Sequence, residues 1–155
     1  MQAKRGFTLV EILIVVVILG ILAAIVIPQF TQASTEAKTN SLASDLQSLR
    51  SQIQLYKVQH NDNAPALATF AQKMLYVTDI SGNISGAGTK VRVDPFNYGP
   101  YLERVPDNPF TNSNSIVDWA TGATSAPWDG WEYNEATGEI RAAPDDVDTA
   151  GHQAL

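Results

Sequence analysis

The stretch that decides the fold is KRGFTLVEILIVVVILGILAAIVIPQF, from Lys4 to Phe30. Residues 7–27 form an apolar run that carries one charge, Glu11. A helix that crosses the hydrocarbon core of a bilayer needs about 20 such residues, so the run fits one membrane span. Lys4 and Arg5 precede the run and no basic residue follows before Lys38, which predicts a cytoplasmic N-terminus and an extracytoplasmic remainder.

Glu11 separates this run from the two common kinds of N-terminal apolar segment. A secretory signal has a shorter apolar region, of about 7–15 residues, that ends at a small-residue cleavage site. A plain membrane anchor would avoid the acid, because a carboxylate at membrane depth costs about 2.5–3.5 kcal/mol. The sequence therefore predicts a partner for Glu11.

The hexapeptide Gly6-Phe7-Thr8-Leu9-Val10-Glu11 after a short basic leader resembles the start of the type IV pilin and type II secretion pseudopilin superfamily. The resemblance implies that a prepilin peptidase cleaves after Gly6 and methylates the new amine of Phe7. It also implies that Glu11 faces the amine of a neighbouring subunit. From the residues alone, the ammonium on Phe7 lies one helical turn from Glu11, and the two could pair within one chain or between chains.

Gly20 and Pro28 interrupt the apolar run. Proline removes a backbone donor, so Pro28 should kink or locally break the helix, whereas both residue types are also common in ordinary membrane helices. By the resemblance, the segment between Gly20 and Pro28 loses helicity when subunits pack into a filament.

The helical pattern continues beyond Pro28 as one predicted apolar stripe, with spacings of mostly three and four: Phe30, Ala33, Ala37, Leu42, Leu46, Leu49, Ile53 and Tyr56. A helix unbroken from Phe7 to about His60 would be on the order of 80 Å long. Residues 61–155 could not bury a rod of that length. Its first half must find membrane or other copies of itself, which predicts an assembly subunit.

The remainder predicts a small α+β head. Pro65 opens a short helix with apolar residues at helical spacing, Leu67, Phe70, Ala71, Met74 and Leu75. Short strands are predicted at 90–93, 116–119, 130–133 and 139–142, the last two as a hairpin that resembles the C-terminal hairpin of pilin-like proteins. The predicted fold is α+β, with a long N-terminal helix packed on a small antiparallel sheet. The predicted segments are a leader (1–6), a transmembrane and filament-core helix (7–28), an amphipathic helical half (29–60) and the head (61–155).

Composition excludes several functional classes. The 155-residue chain has a net charge of −6 and scattered Lys and Arg residues, which argues against nucleic-acid binding. It has no cysteine, so disulfides, thiolate metal sites and cysteine nucleophiles are excluded. Neither His60 nor His152 falls in a catalytic motif, and no enzyme is predicted. Three tryptophans, Trp119, Trp128 and Trp131, could line a groove but are more typical of a core.

A calcium site is a weaker prediction. The resemblance implies that major pseudopilins often bind calcium through C-terminal loops, and the available oxygen ligands here are Asp129, Asp145, Asp146 and Asp148. They lack EF-hand spacing, and acids near a chain end usually form a solvated tail.

Together these features predict a structural subunit of a type II secretion pseudopilus or type IV pilus-like filament. The resemblance implies four kinds of partner: other copies of the chain, the prepilin peptidase, an inner-membrane assembly platform with its ATPase, and minor pseudopilins or pilins. The resemblance implies a C-terminal disulfide loop in many pilus-type subunits, and the absence of cysteine removes it here, which favours a major pseudopilin over an adhesive pilin. Two alternatives remain open: a lone inner-membrane-anchored binding module, for which Glu11→Ala would be harmless, and a secreted enzyme with an uncleaved anchor.

Overall fold

The computed structural model describes residues 8–86, 88–119 and 130–143. Helix α1, Leu9–Gln59, contains 51 residues and dominates the described chain. The chain divides into two compact units, residues 1–37 and residues 38–155, and each is described by itself below.

The described part of the first unit is the start of α1. The helix continues without interruption through Gly20 and Pro28, so a helix break at Pro28 is not seen in the single chain. The loss of helicity between these residues on filament packing concerns another state and stays a prediction.

The buried face of α1 differs from the predicted stripe. Leu42, Leu46, Leu49, Ile53 and Tyr56 are buried as predicted, whereas Phe30, Ala33 and Ala37 are exposed. These three residues lie in the part of α1, residues 9–38, in which every residue is exposed, so no face of this part is buried in the described chain.

The second unit adds one short helical segment and a three-stranded sheet to the end of α1. The helical segment is a 3-10 turn, Leu67–Thr69, followed by α2, Phe70–Leu75, as the apolar spacing after Pro65 predicted. The strands are β1, Ile116–Asp118; β2, Trp131–Asn134; and β3, Glu139–Ala142. The sheet order is β1-β2-β3.

The predicted α+β class is confirmed, but the sheet is mixed. Strands β2 and β3 pair as an antiparallel hairpin with Trp131 opposite Ala142, whereas β1 runs parallel to β2 with Ile116 opposite Trp131. A parallel pair needs a connection of about a dozen residues or more, and residues 119–130 separate β1 from β2 in the sequence. The prediction of an antiparallel sheet is therefore wrong for the β1–β2 pair.

The predicted strand at 90–93 is wrong. Val93 forms an isolated bridge with Phe96, and the described residues of this segment belong to none of the three strands. Val91 and Val93 are 65% and 62% exposed, so the alternation of apolar and charged residues in this segment does not mark a strand with one buried face.

The core of the second unit lies between the buried face of α1, helix α2 and one face of the sheet. Trp131, Tyr133 and Ile140 of the sheet are buried there together with Phe70 and Met74 of α2. The rings of Phe70 and Tyr133 meet edge to face with centroids 4.6 Å apart. Each such buried side chain stabilises the fold by about 1.5–3 kcal/mol.

Candidate functional site

The start of α1 carries a capping box formed by Thr8 and Glu11. The backbone amide and the hydroxyl of Thr8 both donate to Oε2 of Glu11, at 2.9 Å and 2.8 Å. The amide of Glu11 donates to the Thr8 hydroxyl oxygen at 3.3 Å. These bonds satisfy two amides that have no acceptor within the helix.

The capping box gives Glu11 a partner within its own chain. The sequence predicted a partner for Glu11 but not that Thr8 is one, although Thr-x-x-Glu before an apolar run is a known helix-start signature. Gly6 and Phe7, the predicted cleavage and methylation residues, lie outside the described residues. The pairing of Glu11 with the amine of Phe7 therefore stays a prediction.

The apolar run leaves its large side chains uncovered in the single chain. From Leu9 to Ile27 these side chains range from 40% exposed at Val26 to 81% exposed at Leu9. Helix α1 is long and apolar enough to cross a membrane, and none of its most apolar window is buried. An apolar surface of this extent marks a membrane or protein contact.

Gly20 has no packing role in the single chain. A Cβ atom built at this position meets nothing within 4 Å. Glycine in a helix interior costs about 1 kcal/mol relative to alanine, so the helix would be more stable without it. The assignment of Gly20 and Pro28 to a flexible segment is a prediction about the assembled state.

His60 is a structural residue at the end of α1. The side chain is 1% exposed, and Nδ1 lies 2.8 Å from the carbonyl oxygen of Tyr56, which assigns it as the donor. Nε2 then accepts from the hydroxyl of Thr78 at 3.0 Å, and the ring stacks on Tyr56 with centroids 3.8 Å apart. Burial lowers the pKa of His60 below its ordinary 6.5. His152 lies outside the described residues.

The tryptophans have different environments. Trp131 is fully buried, and its indole N–H donates to the carbonyl of Pro106 at 2.8 Å, so it is a core residue as predicted. Trp119 is partly exposed and lies 3.9 Å from the guanidinium carbon of Arg141. Trp128 lies outside the described residues.

One ion pair on the sheet was not predicted from the sequence. The Arg141 guanidinium donates to Oε2 of Glu132, whose side chain is 1% exposed. The two residues are direct cross-strand neighbours on β2 and β3. The alternating pattern of the hairpin contained the signal, but the pair becomes visible only once the register is known.

The calcium prediction falls outside the described part of the chain. Asp129, Asp145, Asp146 and Asp148 are all in residues that the structure does not describe. Among the residues it does describe, no group of three or more His, Asp or Glu side chains is placed to hold a metal ion.

Comparisons with known proteins address the same N-terminal site and most of the chain. Residues 1–27 match a family profile described as the prokaryotic N-terminal methylation motif. The chain is 31% identical over 117 residues to the type II secretion system core protein G of Klebsiella pneumoniae, which covers 76% of each chain. It is 30% identical over 147 residues to the protein of the same name from Pseudomonas aeruginosa, covering 95% of this chain and 94% of the relative. No solved structure matches significantly.

Proposed function

Because the chain belongs to the family of the type II secretion system core protein G, we propose that it is the structural subunit of a pseudopilus, a short helical filament that supports protein secretion. The role is mechanical rather than catalytic. The start of α1 forms the filament core, and the second unit forms its outer coat.

The uncovered first part of α1 carries this proposal. The second unit builds its core from the face with Leu42, Leu46, Leu49, Ile53 and Tyr56, while the large apolar side chains from Leu9 to Ile27 stay exposed. Before assembly, lipid covers these side chains and the second unit lies outside the cytoplasm, in keeping with the basic leader. After assembly, other copies of α1 cover them.

Processing removes the leader before assembly. A prepilin peptidase cleaves after Gly6 and methylates the amine of Phe7, and the match of residues 1–27 to the methylation profile supports both steps. Cleavage removes the charges of Lys4 and Arg5 and leaves one ammonium group beside the apolar run. Methylation of that amine preserves its positive charge.

Glu11 registers each incoming subunit by exchanging partners. In the single chain its carboxylate is held by Thr8, which follows Phe7 directly in the sequence. In the filament the Glu11 carboxylate accepts hydrogen bonds from the ammonium of Phe7 in a neighbouring chain. In an apolar layer this charged partner offsets more of the cost of desolvating the carboxylate than the Thr8 hydroxyl does. At any other offset between neighbouring subunits, the Glu11 carboxylate would lack a charged partner in the apolar layer, which would disfavour that arrangement.

Hydrophobicity alone does not drive extraction from the membrane. Lipid tails are as apolar as the leucine, isoleucine and valine side chains of α1, so moving α1 from lipid to a filament core changes its hydrophobic energy little. The work therefore comes from an assembly platform and its ATPase. Minor pseudopilins or pilins are the remaining proposed partners.

The processing step is tested by the intact mass and N-terminal sequence of the full chain purified from membranes of cells with an active prepilin peptidase. We expect a chain that begins at methylated Phe7. A chain that begins at Met1 would overturn the proposal and leave a lone membrane anchor. In the same cells, overproduction with the assembly platform should give sheared filaments visible by electron microscopy, and a chain that is processed but never polymerises would also contradict it.

A further inference from the structure

The second unit exposes few large apolar side chains, and most of them fall into two groups. In its described residues, the set is Leu55 (43%), Val58 (80%), Ile80 (46%), Val91 (65%) and Val93 (62%). Leu55 and Val58 are three residues apart on α1 and share one face of the helix, here called the helix patch. Val91 and Val93 flank Arg92 and are here called the valine turn.

The valine turn is held in place by hydrogen bonds from both sides. Val93 and Phe96 exchange backbone hydrogen bonds of 3.2 Å and 2.7 Å, which close the turn. The side chain of Arg92 donates to the carbonyl of Gly99 at 2.9 Å, and the amide of Val91 donates to the Thr89 hydroxyl at 3.0 Å. Two exposed valines on an anchored turn lose little conformational entropy on binding.

The lysines beside both groups are already paired within the chain. Lys57, next to Val58, lies 3.6 Å from a carboxylate oxygen of Asp62. Lys90, next to Val91, lies 2.8 Å from a carboxylate oxygen of Glu103. Contact between the two groups would therefore not desolvate an unpaired lysine.

A helical filament needs two different surfaces on every subunit. A head-to-tail interface that does not close into a ring places one patch of each copy against another patch of the next copy. We propose, resting on the filament function above, that the valine turn of one copy docks on the helix patch of a neighbouring copy. The helix patch belongs to the same continuous helix, α1, whose start forms the proposed filament core.

The small size of the two patches favours a second copy over a free partner. A stable interface between free proteins buries about 800 Å² on each partner, more than two pairs of aliphatic side chains offer. Copies already joined through α1 meet at an effective concentration in the millimolar range, so a small additional contact suffices. The contact then determines how the second units of neighbouring copies are offset along the filament, rather than how tightly the copies bind.

The absence of cysteine from the chain makes a direct test possible. Two full-length single variants, Val58→Cys and a size-tagged Val91→Cys, are produced in one cell with the assembly system, and filaments are oxidised. Because each chain carries one cysteine, any disulfide joins two copies, and it forms only where the Cα atoms approach within about 7 Å. The matched control pairs Ala136→Cys, at an exposed position of the β2–β3 turn, with the same Val91→Cys chain.

We expect a mixed dimer from Val58→Cys with Val91→Cys, at least about tenfold more abundant than the control dimer and dependent on assembly. Filaments that form normally but give no excess of this dimer would overturn the inference and leave the proposed function intact. Failure of the unmodified chain to form filaments would instead overturn the function on which the inference rests. A dominant dimer of Val58→Cys with itself would show a symmetric contact and also overturn it.

Discussion

Arg141 of β3 lies directly opposite Glu132 of β2 and donates to Oε2 of its carboxylate, while Oε1 of Glu132 is buried with no hydrogen-bond partner in the described part of the chain. The Arg141 guanidinium also packs over the ring of Trp119. Arg141 is thus the only described group seen to compensate the buried charge of Glu132, and this cross-strand pair supports the observed register of the β2–β3 hairpin.

Replacing Arg141 by methionine should destabilise the second unit strongly. The variant keeps an aliphatic side chain of similar length but leaves Glu132 charged and unpaired, which typically costs about 3–5 kcal/mol. The measurement is chemical denaturation of the full chain in detergent, followed by tryptophan fluorescence. The double variant Glu132→Leu with Arg141→Met should recover most of the loss, because it removes the buried charge as well as its partner.

Arg104→Met is the matched control for the arginine prediction. Arg104 also pairs with an acid, Asp107 at 3.4 Å, but the Arg104 side chain is 79% exposed. An exposed pair contributes at most about 1 kcal/mol, so this variant should unfold almost like the parent chain. Equal losses for both arginine variants would contradict the role given to the buried pair.

Gly130→Ala should disrupt the junction between β1 and β2. Gly130 has a φ of +81°, and a Cβ atom there would lie 2.2 Å from the carbonyl oxygen of Ser115. That oxygen accepts the amide hydrogen bond of Trp131 at 2.8 Å, so the strands must separate to admit a methyl group. We expect a loss of about 3 kcal/mol or more in the free energy of unfolding.

Gly86→Ala controls for the general effect of replacing glycine. A Cβ atom at Gly86 meets nothing within 4 Å, and its φ is not in the left-handed region. The variant should be unchanged or up to about 1 kcal/mol more stable, because alanine restricts the unfolded chain. If Gly130→Ala were as stable as Gly86→Ala, the close contact of Gly130 with Ser115 would not limit the size of the side chain at this position.

Protonation of His60 should make the second unit less stable in mild acid. Burial lowers its pKa in the folded state, so between the folded pKa and about 6.5 the unfolded chain binds more protons than the folded chain. Its contribution is therefore complete above about pH 6.5 and is lost as the pH falls toward the folded pKa.

The test compares the unfolding free energy of the parent chain and of His60→Gln across this range. The variant loses the stacking on Tyr56 at every pH, but its stability should decline less between about pH 8 and about pH 5. Parallel pH profiles for the two chains would show that His60 does not titrate differently on folding.

Periodicity predicted the elements of this fold better than their pairing. The spacing of Leu42, Leu46, Leu49, Ile53 and Tyr56 identified the buried face of α1, and the β2–β3 hairpin followed from its alternation. The parallel pairing of β1 could not be read from turn residues, because it depends on which strand β1 meets after the chain has folded. The Glu132–Arg141 pair could not be predicted either, because it depends on the register between β2 and β3.

At the N-terminal site, the charge pattern predicted that Glu11 needs a partner but not which one. The capping box with Thr8 is local, and its spacing was available in the sequence. An intersubunit partner is not a property of one chain, so neither periodicity nor the geometry of the single chain identifies it. Only a variant that separates the two roles of Glu11 can do so.

Glu11→Gln makes that separation. Glutamine at this position can keep the capping box with Thr8, because its side-chain oxygen also accepts from the Thr8 amide, but it carries no charge to offer an ammonium group. We expect normal processing and membrane retention but at least about a tenfold loss of filaments, since the neighbouring amine would lose its charged partner in an apolar layer. The control is Glu36→Gln, which removes one exposed carboxylate from the same helix and should assemble like the parent. Filaments from Glu11→Gln in parental amounts would mean that the capping box is the whole role of Glu11, and the registration of subunits would have to come from the coat.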